Sequence, residues 1–379
     1  MASAQSKSAK TVYYKRQAVA INMKSMGNKC AAKHDDEACM WRCLQLARLG
    51  MGYVAPNPMV GAVLTLPEEH NQIIGEAFHA YFGGPHAEAA LLHKMEGDPR
   101  LPYSRLYVSL EPCAHHGKTP PCAEHILRAG IPEVVMATRD PHPKVAGKGK
   151  SMLEQAGVSV KEGMLQEEAQ ALNRAFWLHH LPLRPYVVLK WAESADGFLT
   201  DKPGTPTAIT HAHANRLVHR LRHRCQAILV GAGTMAADRP RLNTRYWPGT
   251  DPVVVVADRK LSLDPMAYTA LQQPGALVLN HQCENLEAQP ALLRIADWDN
   301  VEEWLAKIAT QNVDSVLVEG GADTLRRFIS QNMWDELWQF KAMDVYLENG
   351  LPAPDLPPKK PHSCWQLNGN LITYWKHDE

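Results

Sequence analysis

The chain has 379 residues, 45% of them apolar, which is enough to build two or three separate cores. Forty basic residues offset forty acidic ones, so no overall field draws the protein to nucleic acid or to an anionic membrane surface. The longest apolar runs, such as Val253–Ala257, are strand-sized and fall well short of the roughly 18 residues that cross a bilayer.

Residues 1–34 read as a polar extension, because the segment is basic, holds no acid and lacks the apolar stretch of a secretory leader. Asp35 or Asp36 opens the first predicted helix, with Met40, Cys43, Leu44 and Ala47 at helical spacing and Gly50 at its end. "MVGAVLTL" then reads as a buried strand, "AEAALLHKM" as a helix and "SRLYVSL" as a strand. "TPPCAEHILRAG" reads as a helix with Thr119 as N-cap, Pro120 in the first turn and Gly130 as the stop. "EVVMAT" is a further strand, and this alternation predicts an α/β layered structure.

A helix running to about Leu178 is followed by "HHLPLRP", His179 to Pro185, which breaks the pattern. A domain boundary is expected there, giving one domain over 35–180 and a second over 185–379. The second alternates again: strand "YVVLKWA", helix "HAHANRLVHRLRH", strands "AILV", "PVVVVAD", "ALVLN" and "DSVLVEG", then helix "ADTLRRFIS". The proline-rich stretch from Leu351 to Pro361 reads as a surface loop or strand break.

Eight cysteines scattered over this length do not form a disulfide framework and suit a reducing cytoplasm. Two of them belong to a chemical pattern. "HAEAALL" places His86 and Glu88 two residues apart at a helix start, and "LEPCAHHGKTPPC" supplies Cys113 and Cys122. Helix N-termini favour thiolate over thiol. Two thiolates and one imidazole make three zinc ligands and leave the fourth tetrahedral position open for water. Zinc lowers the pKa of that water from about 16 towards about 7. Glu88 then stands ready to carry its proton to a leaving amine. This is the H-x-E…P-C…C arrangement of the zinc nucleobase deaminases, whose glutamate is not a ligand. A closed structural zinc, with His115 or His116 as fourth ligand, leaves Glu88 without a role, and a metal-free site leaves the joint pattern unexplained.

Further along, "AILVGAGTMAAD" approximates the dinucleotide fingerprint through Gly231, Gly233 and Ala236, with Asp258 ending a later strand. Met235 to Pro240 reads as a short turn, however, and Pro240 bars the long helix that a Rossmann fold requires. Glycine turns still suit a cofactor's phosphates, and Gly320 and Gly321 stand just ahead of the helix "ADTLRRF".

Taken together, "APNPMVGAV", "HAE", "LEPCAHHGKTPPC" and "DPHPKVAGKG" resemble one family, the bifunctional deaminase/reductase of riboflavin biosynthesis. Eight residues separate the cysteines, where many zinc deaminases have two. "VVLKWAESADG", "VHRLRHRCQAILVGAGTMAAD" and "VLVEGG" carry the resemblance to Gly321 and beyond. It implies a cytidine-deaminase-like three-layer domain followed by a dihydrofolate-reductase-like domain that binds NADPH. The first would deaminate a diaminopyrimidinone ribosyl phosphate, with His86, Cys113 and Cys122 on zinc and Glu88 as proton shuttle. Asn57 and His79 would touch base or ribose, and Lys118 the phosphate. The second would reduce the ribosyl group to a ribityl chain. There Lys190 and Asp238 would assist proton transfer or hold ribose hydroxyls, and Arg222 and Arg245 would clamp the phosphate. Leu242 and Glu319 would also contact substrate, while Ala192, Thr234, Asp238, Gly320 and Gly321 would line the cofactor. The resemblance further implies a homo-oligomer whose partner is a phosphorylated pyrimidine rather than nucleic acid or a membrane.

Pro206, Ala208 and Arg239 stand where the family has other residues, which keeps open a zinc deaminase with a non-reducing second domain. A nucleic-acid-editing deaminase is the remaining alternative, and the neutral charge and few aromatics weigh against it.

Overall fold

The computed structural model describes residues 31–116, 120–143, 145–180, 183–202 and 207–377, with side chains from residue 36 onward. Lys118, Thr119, Pro206 and nearly all of the expected 1–34 extension lie outside the described residues.

The N-terminal unit contains α1 (Ala31–Ala47), β1 (Gly61–Leu66), β2 (Gln72–Phe78), α2 (Ala87–Lys94), β3 (Arg105–Val108) and α3 (Cys122–Arg128). β4 (Glu133–Met136), α4 (Lys148–Gln155), β5 (Ser159–Glu162), α5 (Gln166–Leu172) and α6 (Arg174–His180) complete it. α1 begins before the Asp35 or Asp36 start that its capping chemistry predicts. The five strands lie in the order β2-β1-β3-β4-β5, with β1 antiparallel to both neighbours and β3, β4 and β5 parallel. Successive residues of β1 divide between the two faces. Ala62 and Leu64 pack with Leu91, Ile126 and Leu153 from α2, α3 and α4. Val63 joins Tyr107 and Val135 against Met40, Cys43 and Leu44 of α1. Helices thus cover both faces, and burying each of these large side chains contributes about 1.5–3 kcal/mol.

The C-terminal unit runs β6 (Tyr186–Glu193), β7 (Phe198–Thr200), α7 (Ala212–Arg224), β8 (Ala227–Gly231), α8 (Ala232–Asp238), β9 (Val253–Ala257), β10 (Leu277–Asn280) and β11 (Ala291–Arg294). α9 (Val301–Ala309), β12 (Ser315–Val318), α10 (Ala322–Ser330), β13 (Glu336–Ala342), β14 (Leu351–Pro352), β15 (Ser363–Leu367) and β16 (Asn370–Lys376) follow. Nine strands form one sheet in the order β11-β10-β9-β8-β12-β6-β13-β16-β15, parallel from β11 to β13 and antiparallel at β16 and β15. A parallel sheet covered on both faces needs continuous apolar strands, hence "VVVV" in β9. Val188, Ile228 and Val230 meet Leu221 of α7 and Met235 of α8. Leu189 and Leu229 meet Trp304 of α9 and Phe328 of α10.

The turn expected over Met235 to Pro240 is instead the end of the helix α8, which closes at a left-handed Arg239 (φ +44°) immediately before Pro240. Its brevity and the strand order set this sheet apart from a Rossmann fold. The chain leaves β8 for β9 on one side and leaves β12 for β13 on the other, so a crevice opens between adjacent β8 and β12 at their carboxyl ends.

One imidazole joins the two units. His223 of α7 meets the Tyr53 ring edge-on at 4.7 Å between centroids. A Cβ on Gly52 would lie 2.6 Å from its Nε2, and one on Gly249 would lie 2.2 Å from its Nδ1, so both backbones close on the ring. The Thr250 hydroxyl donates to the Gly52 carbonyl at 2.8 Å beside it.

A candidate deaminase centre and a candidate hydride site

His86 occupies the cap position of α2 and Glu88 its first turn. Cys113 lies in the loop after β3, and Cys122 is the first residue of α3. Pro121, and not Thr119, takes the cap position there, and Pro120 precedes the helix instead of entering its first turn. Gly130 ends it at φ +70°, as expected.

The three candidate ligand atoms lie within 4.8 Å of one another. The His86 Nδ1 is 3.6 Å from the Cys113 Sγ and 3.4 Å from the Cys122 Sγ. A tetrahedral zinc with bonds of about 2.3 Å to sulfur and about 2.05 Å to nitrogen sets those atoms about 3.6 Å apart. The donor set therefore fits a zinc ion in separation as well as in chemistry. The Cys122 amide at the helix start donates to the Cys113 sulfur at 3.3 Å. Hydrogen bonds from the Cys122 thiol and the His86 ring hold Cys113 as a thiolate with a pKa of about 4, against the opposing effect of burial.

Beside these ligands a cavity of about 200 Å³, large enough for a pyrimidine ring, is lined by Asn57, His79, Glu88, Asp140 and Phe176. Glu88 is 3% exposed, and burial raises its pKa to about 7. The His79 Nδ1 lies 2.9 Å from the Pro85 carbonyl, which can only accept, so that nitrogen carries the proton. Its Nε2 then accepts from the Asn57 Nδ2 at 3.2 Å. The chain of bonds fixes the Asn57 amide and leaves its Oδ1 to accept from an amine.

Sequence reasoning assigned no part to Glu111 or Asp140, although the quoted motifs contain both. Glu111 accepts from the backbone N–H groups of Asp140, Gly147 and Lys150 at 3.3, 2.9 and 3.2 Å, so one carboxylate anchors the loop that brings Asp140 to the cavity. Gly149 packs so closely that a Cβ there would lie 1.8 Å from the Pro112 carbonyl oxygen, next to Cys113.

The second site lies in the crevice of the C-terminal sheet. A cavity of about 450 Å³ there is lined by Lys190, Ala192, Thr234, Asp238, Glu319, Gly320 and Gly321. The Gly321 amide donates to the Thr234 Oγ1 at 3.0 Å, tying the turn before α10 to α8 across the crevice. A second cavity of about 410 Å³ shares Gly233, Thr234 and Gly321 and continues past Asp258, Arg259 and Lys260. Burial lowers the Lys190 pKa, with Glu319 opposing that shift. Burial pushes Glu319 up, but the Arg222 and Lys190 charges outweigh it and hold the carboxyl at about 2.

Arg222 sits behind this cavity, its guanidinium on both Glu319 oxygens and on the Asn243 carbonyl. Arg245 and Leu242 do not line it. Arg245 is exposed, bonded to the Asn243 Oδ1 at 2.9 Å, and stacked 4.8 Å from the Tyr246 ring centre. Leu242 is 2% exposed, and its side chain packs in the core with Val218 and Leu221.

The two sites and their sheets define a class, a zinc-site deaminase joined to a reductase. The family model "Cytidine and deoxycytidylate deaminase zinc-binding region" matches residues 33–138, and "RibD C-terminal domain" matches 185–341. The riboflavin biosynthesis protein RibD of Aquifex aeolicus is 35% identical over 85% of this chain and 90% of its own. That of Escherichia coli is 33% identical over 80% and 86%. The crystal structure of a Thermotoga maritima diaminohydroxyphosphoribosylaminopyrimidine deaminase/5-amino-6-(5-phosphoribosylamino)uracil reductase is 35% identical, with a TM-score of 0.79, and covers 90% of this chain and 99% of that one. Acinetobacter baumannii RibD, at 30% identity and a TM-score of 0.81, covers the same shares. The chain belongs to the RibD family of riboflavin biosynthesis proteins and is a bifunctional deaminase and reductase that uses zinc and NADPH.

Proposed function

We propose that each cavity performs one of two consecutive reactions on the same phosphorylated pyrimidine, the first within residues 35–180 and the second within 185–379. The observation that carries this reading is the tetrahedral spacing of His86, Cys113 and Cys122 around a cavity that holds the buried Glu88.

In the first reaction, zinc held by those three residues would supply a water acidic enough to act as hydroxide near neutral pH. Glu88 takes a proton from the attacking water and delivers it to the departing amine, so that ammonia leaves and a carbonyl remains. Asn57, fixed through His79, accepts from the ring's amino group. Lys118 faces the phosphate by resemblance alone.

In the second reaction, NADPH supplies the hydride. When bound, its pyrophosphate would be held by the Gly320 amide and the start of α10, with the bond from the Gly321 amide to Thr234 bracing the turn and Ala192 lining the pocket. Arg259 and Lys260, which pair with no carboxylate among the described residues, suit the phosphate that distinguishes NADPH from NADH. Opening of the ribosyl ring gives an imine. As the first sugar carbon accepts hydride, Lys190, its pKa lowered by burial, provides the nitrogen's proton. Asp238 holds the sugar hydroxyls. Arg222, acting through Glu319, positions that carboxylate towards the substrate, and Arg245 meets the substrate phosphate at the rim.

A cytoplasmic location fits the scattered free cysteines. A homo-oligomer follows from resemblance alone. Metal analysis with separate assays of ammonia release and NADPH oxidation tests the reading: zinc near one per chain and both activities are expected, and deamination by metal-free protein would overturn it.

A further inference from the structure

A cavity of about 520 Å³ lies between the two units and adjoins the deaminase cavity without including the candidate zinc ligands or Glu88. Its walls come from α1, the 51–59 loop and α6 on one side, and from the amino ends of β6, β12 and β13 with the last turns of α7 on the other. The reductase crevice opens at the opposite edge of the same sheet and shares no lining residue with it.

Its floor is electrostatically closed. Arg224 pairs with Glu336, which also accepts from the Tyr186 hydroxyl at 2.9 Å. The rim is open. Arg48 and Arg220 have no carboxylate partner among the described residues, and the Arg220 guanidinium lies 5.5 Å from the Trp247 ring centre. Trp41, 40% exposed, stands at the same mouth. A packing void between two units is expected to be apolar or closed by ion pairs. Guanidinium groups that close no ion pair, beside an exposed indole, suit a flat ring that carries phosphate. Asn57 and Phe176 line both this cavity and the deaminase cavity, so an occupant touches residues that face the first reaction.

We propose that the cavity between the units is a third ligand site, which takes a phosphorylated aromatic heterocycle with its phosphate at Arg48 and Arg220 and its ring against Trp41. Occupancy alters deamination through Asn57 and Phe176, a coupling that rests on the role given to Asn57 above.

Flavin mononucleotide serves as the probe, because it combines a phosphate with a large flat ring whose fluorescence is quenched by stacking on indole. The zinc-loaded full chain is titrated with saturating NADP⁺ to fill the crevice. Quenching is expected in the unaltered chain. Arg48→Glu with Arg220→Glu should weaken binding about tenfold or more. Trp41→Ala should remove the quenching, and riboflavin, which lacks the phosphate, should bind as weakly as flavin mononucleotide binds the arginine variant. All three substitutions are on the exposed rim, and unchanged NADPH oxidation checks that the variants fold. No quenching in the unaltered chain, or equal binding by the variants, overturns the site. Quenching that the variants abolish while deamination stays unmoved overturns the coupling alone and leaves the roles at the deaminase cavity standing.

Discussion

Glu319 closes a two-pronged ion pair on Arg222, its carboxylate oxygens 3.0 and 2.8 Å from the guanidinium Nε and Nη2. Removing one partner of a buried pair leaves the other charge uncompensated and costs about 3–5 kcal/mol. Glu319→Gln is therefore expected to lower the thermal midpoint of the C-terminal unit and to abolish NADPH oxidation, while ammonia release persists. The pH dependence has a definite sign. The folded pKa is depressed to about 2, so the stabilisation is present above the ordinary carboxyl value of 4.5 and is lost as pH falls towards 2. A shift of that size corresponds to about 3 kcal/mol. Thermal midpoints recorded from pH 5 down to pH 2 should fall more steeply in the unaltered chain than in Glu319→Gln, and parallel slopes would refute the assignment.

Glu88 is buried beside the candidate zinc ligands His86, Cys113 and Cys122 and lies outside that group. Glu88→Gln should keep its zinc and lose about 10²- to 10⁴-fold in the rate of deamination. Metal content by elemental analysis, paired with an ammonia assay, separates the two roles. Loss of zinc in this variant would make Glu88 part of the coordination shell instead.

Gly149 lies against the Pro112 carbonyl, one residue before the candidate ligand Cys113. Gly149→Ala must push the Cys113 segment away. It is expected to weaken zinc retention against a chelator and slow deamination in proportion, leaving NADPH oxidation untouched. Unaltered zinc affinity would show that the loop gives way instead.

Arg259 and Lys260 line the second crevice cavity and close no salt bridge among the described residues. Replacing either by alanine should raise the KM for NADPH about tenfold to a hundredfold and leave that for NADH nearly unchanged, since each lost charged hydrogen bond removes about 1.5–3 kcal/mol. Steady-state kinetics with each cofactor reads this directly, and an equal rise for both would place the extra phosphate elsewhere.

The sequence makes some of this architecture plain and conceals the rest for physical reasons. The sequence pattern groups His86, Glu88, Cys113 and Cys122 because metal chemistry restricts residue type and spacing together, and the structure brings the His86, Cys113 and Cys122 ligand atoms within 4.8 Å of one another. β2 went unread because "QIIGEAF" carries Gly75, where the Leu91 side chain leaves no room for a Cβ, and because its outer end is exposed. β5, "SVKE", is a polar edge strand with no apolar alternation to betray it. α8 was read as a turn because Pro240 dominates the local signal, although two turns of helix fit before it. Nothing in the linear pattern brings Glu111 to three amides up to 39 residues ahead, since such anchoring depends on the loop's return path.

The imidazole of His223 fills a notch that two glycines, one from each unit, leave for it. That fit locks the angle at which deaminase and reductase meet. Dividing the chain near residue 182 would leave the N-terminal half with an empty dent at Gly52, while the C-terminal half would keep the His223 ring against Gly249 with its other side bare.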